Sequence, residues 1–189
     1  MKTTRLTFCF LLLLATSAQA ERADALKPIS MESGDIHIDN VTRETIATGH
    51  VTIVRGTMVV NAERAEVKEA PDGYRTYRLT AAPGKLVTFR QKRDGGPDLW
   101  SEGHAERMEY DEREDVIKLH LAAMMRQLDG KTVTHQIDQA FISYDNRSEQ
   151  LDGRNGPGIA GAPPNGRGKV IFEVRRSRVA VPPPQLPGQ

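Results

Sequence analysis

Two seven-residue stretches carry the same frame of acid and base: Asn61-Ala62-Glu63-Arg64-Ala65-Glu66-Val67 and His104-Ala105-Glu106-Arg107-Met108-Glu109-Tyr110. Carboxyls such as Glu63 and Glu106, set across a cleft, could serve as general acid and general base. A looser third copy, Asp138-Gln139-Ala140-Phe141-Ile142-Ser143-Tyr144, has no acid in the slot of Glu63. No His, Ser or Cys stands in a nucleophile setting near either frame. What recurs in all three is an apolar pair two residues apart: Ala65 and Val67, Met108 and Tyr110, Ile142 and Tyr144. That is the parity of a β-strand, with one face apolar. Glu63, Arg64, Glu106 and Arg107 are therefore expected as solvent-facing charges where strands begin.

Other chemistry has as little to build on. His37, His50, His104, His120 and His135 show no metal-ligand spacing, such as two ligands four apart on a helix. There is no glycine-rich phosphate loop, no nucleophile elbow and no paired-cysteine motif. The expectation is a protein without catalytic residues, metal or cofactor, and not an enzyme.

Residues 1–20 have the three-part layout of a cleavable secretory signal: Lys2 and Arg5, an apolar run from Leu6 to Leu14, then small residues ending Ala18-Gln19-Ala20. Cleavage is expected after Ala20, giving an exported, periplasmic product. The apolar run is too short for a bilayer span. The single cysteine, Cys9, lies within it, so no disulfide supports the remainder. Residues 1–20 hold two basic and no acidic side chains, which leaves 24 basic against 25 acidic. That balance excludes the dominant basic surface expected of a nucleic-acid binder.

Period-two alternation runs through the rest of the chain. Strands are expected in the stretches from Gly49 to Val60, as two short strands or one bent one, Tyr74 to Ala81, Lys85 to Gln91, Glu106 to Asp111, Asp115 to Leu121, His135 to Asp145 and Lys169 to Arg175. Turn signals separate them at Arg55-Gly56-Thr57, Pro71-Asp72-Gly73, Pro83-Gly84, Asp94-Gly95-Gly96, Asp129-Gly130 and Asp145-Asn146. Short strands at this spacing indicate an all-β sandwich, roll or barrel. His120–Leu128 is rich in Ala, Met and Leu and favours helix by propensity. The alternation of Ile117 and Leu119 with Lys118 and His120, and the turn just after, point instead to strand. Residues 152–168, with six Gly and three Pro, read as a long loop, and the Pro-rich 181–189 as a disordered tail. The expected organisation is a signal at 1–20, one β-domain at 21–180 and the tail.

The stretch Thr48 to Val67 resembles the OstA-like family of lipopolysaccharide-transport proteins. Thr48, Gly49, Val51, Ile53, Gly56, Val60, Ala62, Glu63, Arg64 and Ala65 meet the family's frame. Pro28 to Asp35 looks like its opening strand. Phe89, Gln91, Asp94, Gly95, Gly103, Ala105, Met108 and Tyr110 match its later elements in order. The resemblance runs from Pro28 to Tyr144. It implies an open, twisted β-jellyroll of many short antiparallel strands, with an apolar interior groove for lipid A acyl chains. The implied partners are lipopolysaccharide, LptC-like jellyroll domains at the inner membrane, LptD-like ones at the outer membrane, and further copies head to tail. Alternation places Ile29, Met31, Val51, Ile53, Met58, Val60, Val87, Phe89, Met108, Tyr110, Ile117 and Leu119 on inner faces, and these are the candidate groove-lining residues. Aliphatic and Met side chains suit variable acyl chains. The strands near Ile29–Glu32 and Lys169–Arg175 are the expected free edges for strand addition. Arg175, Arg176 and Arg178 could guard the last edge, meet lipid phosphates, or remain solvated charge.

Overall fold

The computed structural model describes residues 24, 26–156 and 167–172. The signal, the tail, Arg175, Arg176, Arg178 and most of the 152–168 loop lie outside the described residues. Twelve strands follow one another: β1 Ile29–Glu32, β2 Asp35–Asp39, β3 Glu44–Arg55, β4 Met58–Glu69, β5 Arg75–Thr80, β6 Val87–Lys92, β7 Leu99–Ala105, β8 Arg107–Asp111, β9 Val116–Asp129, β10 Thr132–Asp145, β11 Gln150–Arg154 and β12 Lys169–Phe172. They form one sheet in which every pairing is antiparallel.

Four of these strands are long rather than short, and they organise the rest. β3 and β4 have 12 residues each, and β9 and β10 have 14. Each long strand pairs with different neighbours in its two halves. β2, β5, β8 and β11 join one set of halves, whereas β1, β6, β7 and β12 join the other. The sheet is thus folded into two leaves that share the four long strands along a crease. The first leaf runs β2, β3, β4, β5, β8, β9, β10, β11, and the second β1, β3, β4, β6, β7, β9, β10, β12. This is the expected all-β jellyroll.

Local backbone chemistry makes the crease. The β3–β4 register breaks between Thr48 and Val51, and the β9–β10 register between Gln139 and Phe141. β3 turns through Gly49 and His50 at φ 81° and 53°, and β9 through Leu121 and Ala122 at φ 65° and 46°. Left-handed backbone adds local bend, as a β-bulge does. Glycine takes it without strain at Gly49, whereas Leu121 and Ala122 carry a steric cost. Amides bridge successive corners: Gly34 N–H donates to Gly49 O at 2.8 Å, and Glu106 N–H to Leu121 O at 3.0 Å. The Ala140 N–H closes the row on Asn155 Oδ1 at 2.5 Å.

The Ala-Glu-Arg frames fall on this line. Glu63 sits inside β4 between the half paired to β6 and the half paired to β5. Glu106 lies between β7 and β8, and the third copy crosses at Ala140 in β10. Arg107 begins β8 with Glu106 just before it, as expected, whereas Glu63 and Arg64 lie inside β4 rather than at its start; the frames mark where the chain passes between leaves. Two leaves that diverge from a crease leave little depth beside it, and Ala47, Ala65, Ala105, Ala123 and Ala140 fill it, each buried.

The hairpins of the first leaf share another device. Asp39, Asp111 and Asp145 each end a strand and accept two backbone N–H groups from the following turn: Val41 and Thr42, Arg113 and Glu114, Arg147 and Ser148. The last turn residue is left-handed in each case, Arg43 at φ 57°, Asp115 at 57° and Glu149 at 54°. Aspartate competing for turn amides is the usual opening of a type I turn. The helix-prone stretch His120–Leu128 is strand, as its alternation indicated. It lies inside β9, held between β7 or β8 on one side and β10 on the other, with Ala123, Met125 and Leu128 buried.

Candidate functional site

Register carries side chains of one face across a whole leaf. In the first leaf, nearest the crease, the row is Ile36, Ala47, Ala65, Leu79, Met108, Leu119, Ile142 and Gly153. Two residues further out it is Ile38, Thr45, Val67, Tyr77, Tyr110, Ile117, Tyr144 and Leu151. In the second leaf the matching row is Met31, Ile53, Val60, Phe89, Gly103, Met125, Ile137 and Val170. Gly103 is required there: a Cβ would lie 2.3 Å from Phe89 Cε1 and 2.9 Å from the Met124 carbonyl oxygen. The Phe89 ring lies over the space a side chain would need.

All twelve candidate groove residues share these inner faces. Val51, Ile53, Met58, Val60, Val87, Phe89, Met108, Tyr110, Ile117 and Leu119 are no more than 3% exposed, and Ile29 and Met31 are half-buried. The leaves touch through them. Between Ile29, Ile53, Met58 and Val60 on one side and Tyr77, Leu79, Met108 and Tyr110 on the other, a cavity of only about 10 Å³ remains. At this point the apolar side chains of the two leaves of the jellyroll pack against one another.

Both ends differ from the middle. Ile36 and Ile38 on β2 are 49% and 61% exposed, and Val170 and Phe172 on β12 are 48% and 68% exposed. The first leaf's inner rows thus begin, and the second leaf's row ends, on an edge strand with apolar side chains in water. Beside Ile38 a cleft of about 380 Å³ opens, floored by Thr45 and Val67 and flanked by Asp39, Arg43 and Arg75.

Away from the crease the interior becomes polar, which sequence reasoning missed. Arg55, at the end of β3, turns inward and is 7% exposed. Its Nη1 donates to Tyr110 Oη at 2.5 Å, and its Nη2 lies 3.6 Å from Glu112 Oε1. The Tyr110 hydroxyl donates in turn to Asp115 Oδ1 at 2.9 Å, where Asn146 Nδ2 also donates. Burial, then the Asp115 carboxylate, pushes the Tyr110 phenol far above its ordinary range. Tyr77 is pushed the same way by burial and by Glu112. The only sequence signal for Arg55 is parity: it alternates with Ile53 and Val51 on the buried face. Farther along this lip, Arg93 after β6 pairs with Glu149 of the β10–β11 turn at 2.6 Å.

Glu63, in β4, is half-buried, and Glu106, between β7 and β8, is exposed, both at the crease. Among the described residues no three His, Cys, Asp or Glu side chains come together to hold a metal. His120 lies on an outer face 3.7 Å from Glu109, with its ring edge-on to Phe141 at 5.0 Å. Burial, then the charge of Arg107, depresses its pKa.

This architecture has relatives. The profile described as "LptA/(LptD N-terminal domain) LPS transport protein" matches residues 30–149. The lipopolysaccharide export system protein LptA of Escherichia coli K12 is 30% identical over 146 residues, covering 74% of this chain and 77% of the relative. LptA of Haemophilus influenzae is 28% identical over 141 residues, covering 75% and 78%. The solved structure of LptH, the LptA-homologous periplasmic component of the lipopolysaccharide transport device of Pseudomonas aeruginosa, superposes with a TM-score of 0.70. It does so at 15% identity, covering 80% of this chain and 99% of LptH, and shares the fold. The folded sheet, its inner rows and these matches together place the chain in the LptA/LptD N-terminal family, a family of lipopolysaccharide transport proteins rather than enzymes.

Proposed function

We propose that this protein is a periplasmic carrier that holds the acyl chains of lipopolysaccharide between its two leaves and passes it from an inner-membrane complex to an outer-membrane translocon. The observation that carries this reading is that inner apolar rows buried in mid-sheet surface on an edge strand in each leaf, at Ile36 and Ile38 of β2 in the first leaf and at Val170 of β12 in the second. An ordinary closed core would cap these edges with polar residues. Among the described residues, β1 and β2 at one edge, and β11 and β12 at the other, each have one unpaired side. A like-folded partner adding strands there would extend every row into its own interior. Such a head-to-tail contact builds open chains, with further copies of this protein, an LptC-like domain and an LptD-like domain as the partners.

The energetics suit transit. Parting the leaves exposes apolar surface, and an acyl chain covers it again at about 0.8 kcal/mol per buried CH₂. Leaf-on-leaf contact is exchanged for leaf-on-lipid contact, so the cargo is neither rejected nor trapped. Ile29, Met31, Val51, Ile53, Met58, Val60, Val87, Phe89, Met108, Tyr110, Ile117 and Leu119 are the proposed contacts. Maturation after Ala20 would release the domain spanning 21–180.

The test is photo-crosslinking in cells, with a photoreactive residue at each of the twelve positions in turn. Lipopolysaccharide adducts are expected from Phe89 and Tyr110, and no adduct from any position refutes the carrier. One observation favours a second reading, a strand-adding adaptor without cargo: the inner apolar side chains are buried against one another as in an ordinary core. The adaptor would still chain through its edges while yielding no adduct and no co-purifying lipopolysaccharide.

A further inference from the structure

The ion pairs on the outer faces join neighbours within a leaf, as in Arg64 with Glu66, Lys68 with Glu44, and Arg126 with Glu102. Arg55 and Arg93 do something else. Each belongs to the second leaf, beyond the crease on the side where the leaves are free to part. Each reaches across to the first leaf: Arg55 to Tyr110 and Glu112, Arg93 to Glu149. Both guanidinium groups are largely covered, with side-chain exposures of 9% and 15%. They clasp the lip beside the inner apolar faces. Anything admitted sideways here draws Arg55 and Arg93 away from the Glu112 and Glu149 carboxylates, and a desolvated guanidinium moved off one anion is well met by another. Guanidinium is suited to phosphate, which it meets with two parallel hydrogen bonds.

We propose that Arg55 and Arg93 are the phosphate-recognition residues of the cargo site, and that the lip opens by exchange: a phosphate on an acylated amphiphile takes the place of Glu112 and Glu149. The interior has the polarity this requires. Alanine, Leu and Met line the crease side for acyl chains, while Arg55, Gln91, Ser101 and Asn146 lie buried towards the lip. The exchange keeps each arginine paired throughout, so charge itself presents no barrier to opening. This inference rests on the carrier reading and adds to it the group by which the cargo is recognised.

The experiment measures binding of diphosphoryl lipid A and of dephosphorylated lipid A to the purified protein. A pair of spin labels at Lys131→Cys and Ser148→Cys reports the lip, since the chain's one natural cysteine is Cys9. The parent protein should prefer the phosphorylated lipid by about tenfold, the scale of one charge-assisted hydrogen bond. Lipid should widen the label distance, and inorganic phosphate alone should not. Arg93→Gln should shrink the preference, and Arg55→Gln with Arg93→Gln should bring it to about one. Glu149→Gln, which leaves the cations in place, should keep the preference and widen the lip at lower lipid concentration. Should the double arginine variant be too unstable to purify, Arg93→Gln alone decides: an unchanged preference overturns the proposal. So does equal binding of the two lipids by the parent, which leaves the carrier standing, or lip opening by inorganic phosphate alone. Binding of neither lipid removes the carrier and this inference together.

Discussion

Replacing Tyr110 with Phe removes one oxygen from the middle of the buried lip network. That oxygen accepts from Arg55 at 2.5 Å and donates to Asp115 at 2.9 Å. The ring stays, so packing against Tyr77 at 5.8 Å between centroids is retained. What is lost is a hydrogen bond to a buried cation, a contact in the range of 1.5–3 kcal/mol, so the variant should unfold at about 2 kcal/mol less cost. For a chain of this size that lowers Tm by about 4–8 °C. A second effect runs opposite and separates this cause from general damage. The Tyr110 and Tyr77 phenols titrate above their ordinary value when folded. Above pH of about 10 the unfolded chain therefore loses these protons while the folded chain keeps them. Stability contributed by both is complete below that pH and falls as pH rises, by up to about 1.4 kcal/mol per pH unit for each phenol. With Tyr110→Phe one of the two is gone, so the variant is weaker at pH 7 yet less sensitive to alkali. Urea melts from pH 7 to 11 measure both. A variant within about 0.5 kcal/mol of the parent at pH 7, with the same alkaline slope, would refute the view that this network holds the lip.

The remaining expectations concern the crease and the histidines. Ala105→Leu forces a larger side chain where the leaves have no depth, and should cost about 1–3 kcal/mol in chemical denaturation. Ala122→Gly relieves an exposed residue held at φ 46°, and should raise stability by up to about 1 kcal/mol in the same assay, a sign opposite to glycine's usual effect in a strand. Burial depresses the pKa of both His104 and His120. Below pH of about 6.5 the unfolded chain then binds more protons than the folded one, and stability falls with acidity until the folded values are passed. Replacing both with Gln should flatten the stability profile between pH 7 and 5, and an unchanged slope would contradict it.

Parity was the legible part of this protein. A residue two places from a buried valine lies on the same face whatever the fold, so the inner-face set could be read from Val51, Ile53, Met108 and Tyr110 without pairing information. Turns marked by Gly or Pro were legible for the same local reason. The turns after Asp39 and Asp111 were not, because their left-handed positions are filled by Arg43 and Asp115 rather than glycine. Strand lengths were hidden too. β9 continues through Leu121 and Ala122, where the sequence shows neither glycine nor a break in apolar character, and only pairing to β10 on both sides of the corner reveals one strand in two leaves. Arg55 was invisible as an interior residue because charge predicts exposure unless a partner is known, and its partners lie 55 and 57 residues away in sequence.

The crease and the lip divide the work of the fold by polarity. At the crease buried alanines pack closely, and the amides of Gly34, Glu106 and Ala140 fasten corner to corner, so that line has little freedom to open. At the lip the contacts between leaves are side chain to side chain. They are replaceable by any ligand that offers the same charges, and breaking them disturbs no strand pairing. A sheet built this way parts on one side only. On the carrier reading, the inner rows that such parting uncovers are the surface an acyl chain taken in at the lip would follow towards Ile36 on β2 or Val170 on β12.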